Sequence, residues 1–224
     1  MTPDAALAEL AAAADPALAA TAQAYHKAAR PYLGVRVPEI TEMAKRWRAG
    51  LTTEARVTLA RGLWQSNIHE ARVAAAKLLA QARIGGDEPV WALIAGWVPE
   101  FDAWAIADQV CDAGARRLLA DPARIDEVAG WVSHTNMWTR RAALVITLPW
   151  TKQNFPKPAD LAVRERVLGW AADMADDRDW FIQKAIAWWL RDLSRHEAAR
   201  TRDWLAAHGG RLKPFARKEA ARHL

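Results

Sequence analysis

The chain has 224 residues, 52% of them hydrophobic and 25% charged, with 13 Trp beside only four Phe and two Tyr. That length suits one sizeable domain, the mixture is globular rather than disordered, and a single cysteine, Cys111, excludes an internal disulfide. The formal charge of +5 is uneven: residues 131–224 hold 17 Lys/Arg and 10 Asp/Glu (+7), and residues 1–130 hold 14 and 16 (−2), which points to a polyanionic partner for the C-terminal half.

In chain order, the sequence predicts helices over 4–13, 15–29, 38–49, 53–65, 69–83, 88–98, 102–119, 122–132, 137–148, 159–175, 179–193, 197–207 and 214–223. Asp15-Pro16, Val37-Pro38 and Asp121-Pro122 put proline at first helical positions, and Ser194 to Glu197 has the spacing of a capping box. Gly34, Gly50, Gly85-Gly86 and Gly209-Gly210 are placed to stop helices. No segment alternates apolar and polar residues between turn signals, so the fold class is all-α. After 1–35, the helices over 36–224 pair into units of about 30 to 40 residues, the period of helical solenoids. Arg72-Val-Ala-Ala-Ala-Lys-Leu-Leu, Arg140-Arg-Ala-Ala-Leu-Val-Ile and Gln183-Lys-Ala-Ile-Ala-Trp-Trp share a polar start followed by small residues, which lets neighbouring helices approach. The expectation is a single-domain α-solenoid over 1–224 with a basic concave groove.

Several chemistries find no residues here. The six His show no ligand spacing and one Cys makes no thiolate cluster, so neither a metal nor a cofactor is expected. No phosphate-binding glycine loop occurs. The early acids Asp4, Glu9 and Asp15 do not fit a signal peptide, and no run approaches the roughly 20 apolar residues of a membrane span. A monomer in the cytoplasm, with no membrane partner, is expected.

Three segments carry candidate chemistry. In Phe101 to Val110, Trp104 and Asp108 are four apart and share a helix face. A ring face and a carboxylate both favour a cationic centre. On this segment alone the plainer alternative is the stronger: Asp108, Asp112 and Arg116 make an i, i+4 surface ladder, with Trp104 in the core. In Asn136 to Leu144, Arg140 and Arg141 occupy a first helical turn, where the helix dipole disfavours cations and an anionic ligand would compensate. Surface arginines bonded to a neighbouring repeat explain them equally well. In Asp179 to Arg191, Lys184 and Arg191 lie about a turn either side of Trp188, an aromatic flanked by cations as on nucleic-acid surfaces. Trp47, Trp64, Trp91, Trp97 and Trp170 are assigned to packing.

Met-Trp-Thr-Arg-Arg-Ala-Ala (137–143), Trp-Phe-Ile-Gln-Lys-Ala-Ile-Ala-Trp (180–188), Trp-x3-Asp (104–108), Tyr32-Leu-Gly-Val-Arg-Val-Pro38 and the closing Arg217 to His223 resemble the AlkD-like DNA alkylation-repair glycosylases, in order and over essentially the whole chain. The resemblance implies a HEAT-like repeat solenoid that holds duplex DNA and releases purines alkylated at N3 or N7 without flipping the base into a pocket. It implies that Trp104 and Trp188 wall the lesion's deoxyribose, that Asp108 is the catalytic carboxylate and that Arg141 holds a nearby phosphate. Arg140, Lys184, Arg191, Arg72 and Lys218 are the further expected DNA contacts, and double-stranded DNA containing alkylated purines is the expected partner. An aromatic before the first wall Trp and an acid after it belong to the pattern, but Ala103 and Ala105 stand there, which bears on cleft shape and lesion range. The expected function is a monofunctional glycosylase of base excision repair, associated with the nucleoid through DNA. The alternatives are a catalytically silent DNA-binding paralogue and a protein-interaction scaffold.

Overall fold

Pro16 follows Asp15, and the Asp15 carboxylate accepts the Ala17 and Leu18 amides at 2.9 and 3.1 Å, so the second helix starts where a capping acid and a φ-locked residue put it. Such signals recur along the chain. In a computed structural model, which describes all residues 1–224, they delimit thirteen α-helices and no strand. These are α1 (Pro3–Ala12), α2 (Pro16–His26), α3 (Val37–Arg48), α4 (Thr53–Gln65), α5 (His69–Leu79), α6 (Glu88–Trp97), α7 (Trp104–Ala120), α8 (Ile125–Ala129), α9 (Met137–Val145), α10 (Pro158–Asp173), α11 (Trp180–Ser194), α12 (Ala198–His208) and α13 (Pro214–Ala220). Each predicted helix has one counterpart, in order.

Several ends differ, for local reasons. Gly34 does not stop α2. The helix ends at His26 with Lys27 in the left-handed conformation (φ 60), and Gly34 lies in the following loop at φ +80. A Cβ at Gly34 would fall against the Asp15 carbonyl and the Ala19 amide, so only glycine fits there. The expected capping box at Ser194 does not form. Ser194 is the last residue of α11, its hydroxyl donates to the Arg191 carbonyl at 2.7 Å, and α12 begins after Glu197. The segment expected as helix 122–132 opens with a 3-10 turn, Pro122–Arg124, and continues only as the short α8. Helix 137–148 stops at Val145, where the Thr147 hydroxyl donates to the Leu144 carbonyl at 2.8 Å and Pro149 offers no N–H; a 3-10 turn, Leu148–Lys152, follows.

The chain forms two compact units, Met1–Ala120 and Asp121–Leu224. In the first, α5 is central and packs on α1, α3, α4 and α7. Its Ala71, Ala74, Ala75 and Ala76 are fully buried, and their small side chains let those neighbours come close. In the second, α11 holds the centre against α9, α12, α13 and the Leu148–Lys152 turn, with Ile182, Ala185, Ile186, Ala187, Trp189 and Leu190 buried. Both centres are among the small-residue stretches singled out by self-similarity. The units differ in charge: 13 Lys/Arg against 13 Asp/Glu in the first, and 18 against 13 in the second, so the whole surplus of +5 belongs to residues 121–224. No single helix is long and apolar enough to cross a membrane.

Candidate functional site

Helix α7 opens behind the buried Phe101 and Ala103. Ile106, Ala107 and Val110 point into the first unit, which leaves Trp104 and Asp108 half-buried on the outward side, one turn apart. The predicted surface ladder is only partly present. Asp112 and Arg116 pair at 3.4 Å with both side chains well exposed, whereas Asp108, one turn earlier, is more enclosed than Asp112.

Trp104 is backed by a stack of neutral rings that local spacing does not announce. The His26 ring lies 5.4 Å from it, His26 stacks on His69 at 4.8 Å, and His69 stacks on Tyr32 at 4.8 Å. Tyr25 meets Trp104 edge-on at 6.0 Å and is largely exposed. These rings come from α2, the loop after it, α5 and α7. The loop is pinned by Glu70, a buried carboxylate on α5 that accepts the Leu33 and Gly34 amides at 2.9 and 2.8 Å. The Asp15 amide donates to the Leu33 carbonyl and the His69 amide to the Pro31 carbonyl. The Tyr32 to Pro38 motif thus has a structural meaning: its glycine permits the tight approach that sets Tyr32 against His69. Burial holds the His69 imidazole down to about 4, with His26 and Arg30 adding to the effect, and burial likewise lowers His26 against the opposing pull of Glu70. Both rings are therefore neutral at neutral pH. Asp102, just before α7, pairs with the buried Arg30.

In the second unit Asn136 caps α9 by accepting the Trp138 amide at 2.9 Å. Arg140, an expected DNA contact, is taken up internally. It donates to the His134 and Thr135 carbonyls at 2.9 and 3.0 Å and to Asp177 at 2.8 Å, tying the turn before α9 to the loop between α10 and α11. This is the alternative of an arginine bonded to a neighbouring element. Arg141 is 4% exposed rather than on the surface, its guanidinium 5.9 Å from the centre of the Trp138 ring.

On α11 the Phe-Ile-Gln-Lys-Ala-Ile stretch turns on Gln183, which is fully buried. Its amide donates to the Ala175 and Asp177 carbonyls at 2.9 and 2.8 Å, and its oxygen accepts the Lys213 amide at 2.8 Å. Trp188 is half-buried and donates its indole N–H to Asp192 at 3.0 Å. Sequence reasoning passed over Asp192, although Trp188 to Asp192 repeats the Trp-x3-Asp spacing of 104–108. Lys184 and Arg191 converge as expected on one side of α11, where both meet Glu219 of α13, at 2.5 and 2.6 Å. Lys218 is exposed. Arg72 departs from expectation. Its side chain is 11% exposed, it lies 4.3 Å over the Trp64 ring, donates to the Trp64 carbonyl and pairs with Glu100 at 3.6 Å, so it braces α4 and α5 rather than reaching outward. No group of three or more His, Cys, Asp or Glu side chains is placed to hold a metal ion.

The two units thus offer different chemistry. The first presents a carboxylate and an aromatic face on a neutral backing, suited to a transient cation. The second presents an aromatic among cations, suited to a polyanion.

The sequence matches the family described as DNA alkylation repair enzyme over residues 6–224. No curated protein matches it. Solved structures share the fold. A predicted DNA alkylation repair enzyme from Enterococcus faecalis superposes with TM-score 0.78 at 22% identity, over 94% of this chain and 96% of that one. AlkD2 from Streptococcus mutans gives 0.63 at 18% identity, over 83% and 88%. The protein smu.31 from Streptococcus mutans UA159 gives 0.64 at 18% identity, over 84% and 92%.

Proposed function

The chain belongs to the DNA alkylation repair enzyme family, and from that premise we propose that it is a monofunctional DNA glycosylase hydrolysing the N-glycosidic bond of cationic N3- and N7-alkylated purines in duplex DNA. The observation that carries the proposal is the α7 pair: Trp104 and Asp108, one turn apart on the outward side of the helix, with neutral rings behind the Trp. Alkylation at N3 or N7 leaves the purine positively charged. When the C1′–N bond breaks, its electron pair stays with the base, which departs neutral and needs no proton. Positive charge develops on the sugar, where the Asp108 carboxylate stabilises it and orients a water for attack at C1′; the water's proton passes to the carboxylate and then to solvent. A neutral His26–His69 stack adds no opposing charge beside that centre.

Trp104 is proposed as an aromatic wall on the first unit and Trp188 as one on the second; Arg141, 4% exposed in the free chain, meets a phosphate only once DNA binding uncovers it. Lys184, Arg191 and Lys218 supply the basic surface of the second unit. The chain is proposed to work as a monomer in the cytoplasm, on the DNA of the nucleoid, in base excision repair. The test is incubation with a methylated duplex and analysis of what is released. Free N3- or N7-methylpurine and an intact abasic strand are the expected products. A protein that binds the duplex and releases nothing would be the silent paralogue, a reading that Asp108 argues against.

A further inference from the structure

Lys184, Arg191, Phe215, Lys218, Glu219 and Arg222 line an open cleft of about 500 Å³ against α11 and α13. Four cations face one carboxylate. The Glu219 side chain, 15% exposed, gives one oxygen to each of two cations: Lys184 Nζ at 2.5 Å and Arg191 Nη1 at 2.6 Å. That is how a phosphodiester would present its two non-bridging oxygens to the same pair. With Glu219 counted, the lining still carries a surplus of three positive charges. The His223 imidazole, next in the chain to Arg222, is held below its ordinary value by desolvation, then by Arg195, Arg222 and Arg191, against the pull of Asp192. Beside the cleft, Trp180 is half exposed, stacks on Phe215 at 5.8 Å and lies 6.0 Å from Lys184 Nζ, an apolar shelf next to the cations.

We infer that this cleft is a phosphodiester site in which Glu219 stands where a backbone phosphate of duplex DNA binds, and is displaced by it. The inference deepens the DNA-handling role proposed above and rests on it. Lys184 and Arg191 are already at their working distance from an oxyanion, and Lys218 and Arg222, both exposed, complete the cradle once the phosphate arrives. The resident carboxylate keeps the two inner cations ordered in the free protein. It also competes with every phosphate, which weakens binding to undamaged duplex and shortens residence there.

The experiment is a fluorescence-anisotropy titration with unmodified duplex DNA, from low to physiological salt, alongside thermal melts of each variant. Glu219→Gln keeps the shape and removes the competing charge. It is expected to bind several-fold more tightly than the wild type, with a salt dependence steeper by about one released counterion. Lys218→Gln and Arg222→Gln are each expected to bind more weakly, with a slope shallower by about one. A folded Glu219→Gln protein that binds equally or more weakly with the wild-type slope overturns the inference. Should Glu219→Gln fail to fold, wild-type affinity and slope in both Lys218→Gln and Arg222→Gln overturn it. Base release is not read in this titration. A protein that follows this pattern and excises nothing would sink the glycosylase proposal alone, and one that excises bases with an indifferent Glu219 would sink the cleft alone.

Discussion

Two helices of this molecule carry a tryptophan four residues before an aspartate, and the two pairs have different surroundings. On α7, Trp104 stands against His26 and Tyr25, with His69 and Tyr32 stacked behind, and burial keeps both histidines neutral. On α11, Trp188 donates its N–H to Asp192, whose carboxylate also accepts from Arg191 at 3.2 and 3.3 Å and has Lys152 at 3.9 Å. Spacing alone therefore does not assign a role. A carboxylate that takes an indole N–H and faces two cations is a brace for its tryptophan, while on α7 it is the tryptophan that is backed by neutral rings, and its carboxylate is the one proposed to answer a charge that appears during reaction.

The sharpest way to break that comparison is to neutralise both acids. Asp108→Asn is expected to lower base release by at least roughly 10²-fold, the scale for losing an electrostatic contact made in the transition state, with fold and DNA affinity little changed. Asp192→Asn is expected to cost only a few-fold, through looser placement of Trp188. Equal losses in single-turnover assays would show that the two pairs do the same job.

A second measurement sharpens the contrast between neutral and charged backing. Because the His69 pKa in the folded chain, about 4, lies below the ordinary 6.5, the unfolded chain takes up the proton first as pH falls. The stability that His69 contributes is whole above about 6.5 and is lost progressively toward pH 4. The size of that loss is at most about 3 kcal/mol. Melts across this range should fall steeply for the wild type and less for His69→Phe, which keeps the ring and cannot titrate. Parallel curves for the two would remove the stack from the account.

A smaller effect separates bracing arginines from working ones. Arg72→Ala should destabilise the protein by about 1–2 kcal/mol, for loss of charged hydrogen bonds and ring contact, and leave the salt dependence of DNA binding unchanged. A shallower salt slope in this variant would return Arg72 to the DNA surface.

What the sequence discloses follows from where each signal is stored. Thirteen helices were legible in order because proline, acidic caps and helical periodicity are local, and the small residues of α5 and α11 marked the two centres. The misplaced ends are also local contests. Ser194 has the right partner spacing for a cap, but its hydroxyl bonds back to Arg191 and α11 runs through it. The ring stack behind Trp104 was not legible, since Tyr25, His26, Tyr32, His69 and Trp104 come from four segments that only tertiary packing assembles. Basic residues were counted correctly, but their partners were not. Arg72 and Arg140 each face an acid about 28 or 37 positions away, which no periodicity reveals. The missed Asp192 is different: its spacing to Trp188 was present in the sequence, and a search for second copies of the Trp-x3-Asp pattern would have found it.

The central claim, that the lesion's own positive charge drives excision beside the α7 carboxylate, is tested most directly by one side-by-side time course. The wild-type protein would be given the same duplex carrying either an N7- or N3-methylpurine or a uracil, and released bases would be quantified. The account predicts release of the methylpurine and little or none of the uracil, whose departing anion would find a carboxylate and negative ring faces where it needs a donor. Efficient release of uracil, at a rate matching the methylpurine, would contradict it.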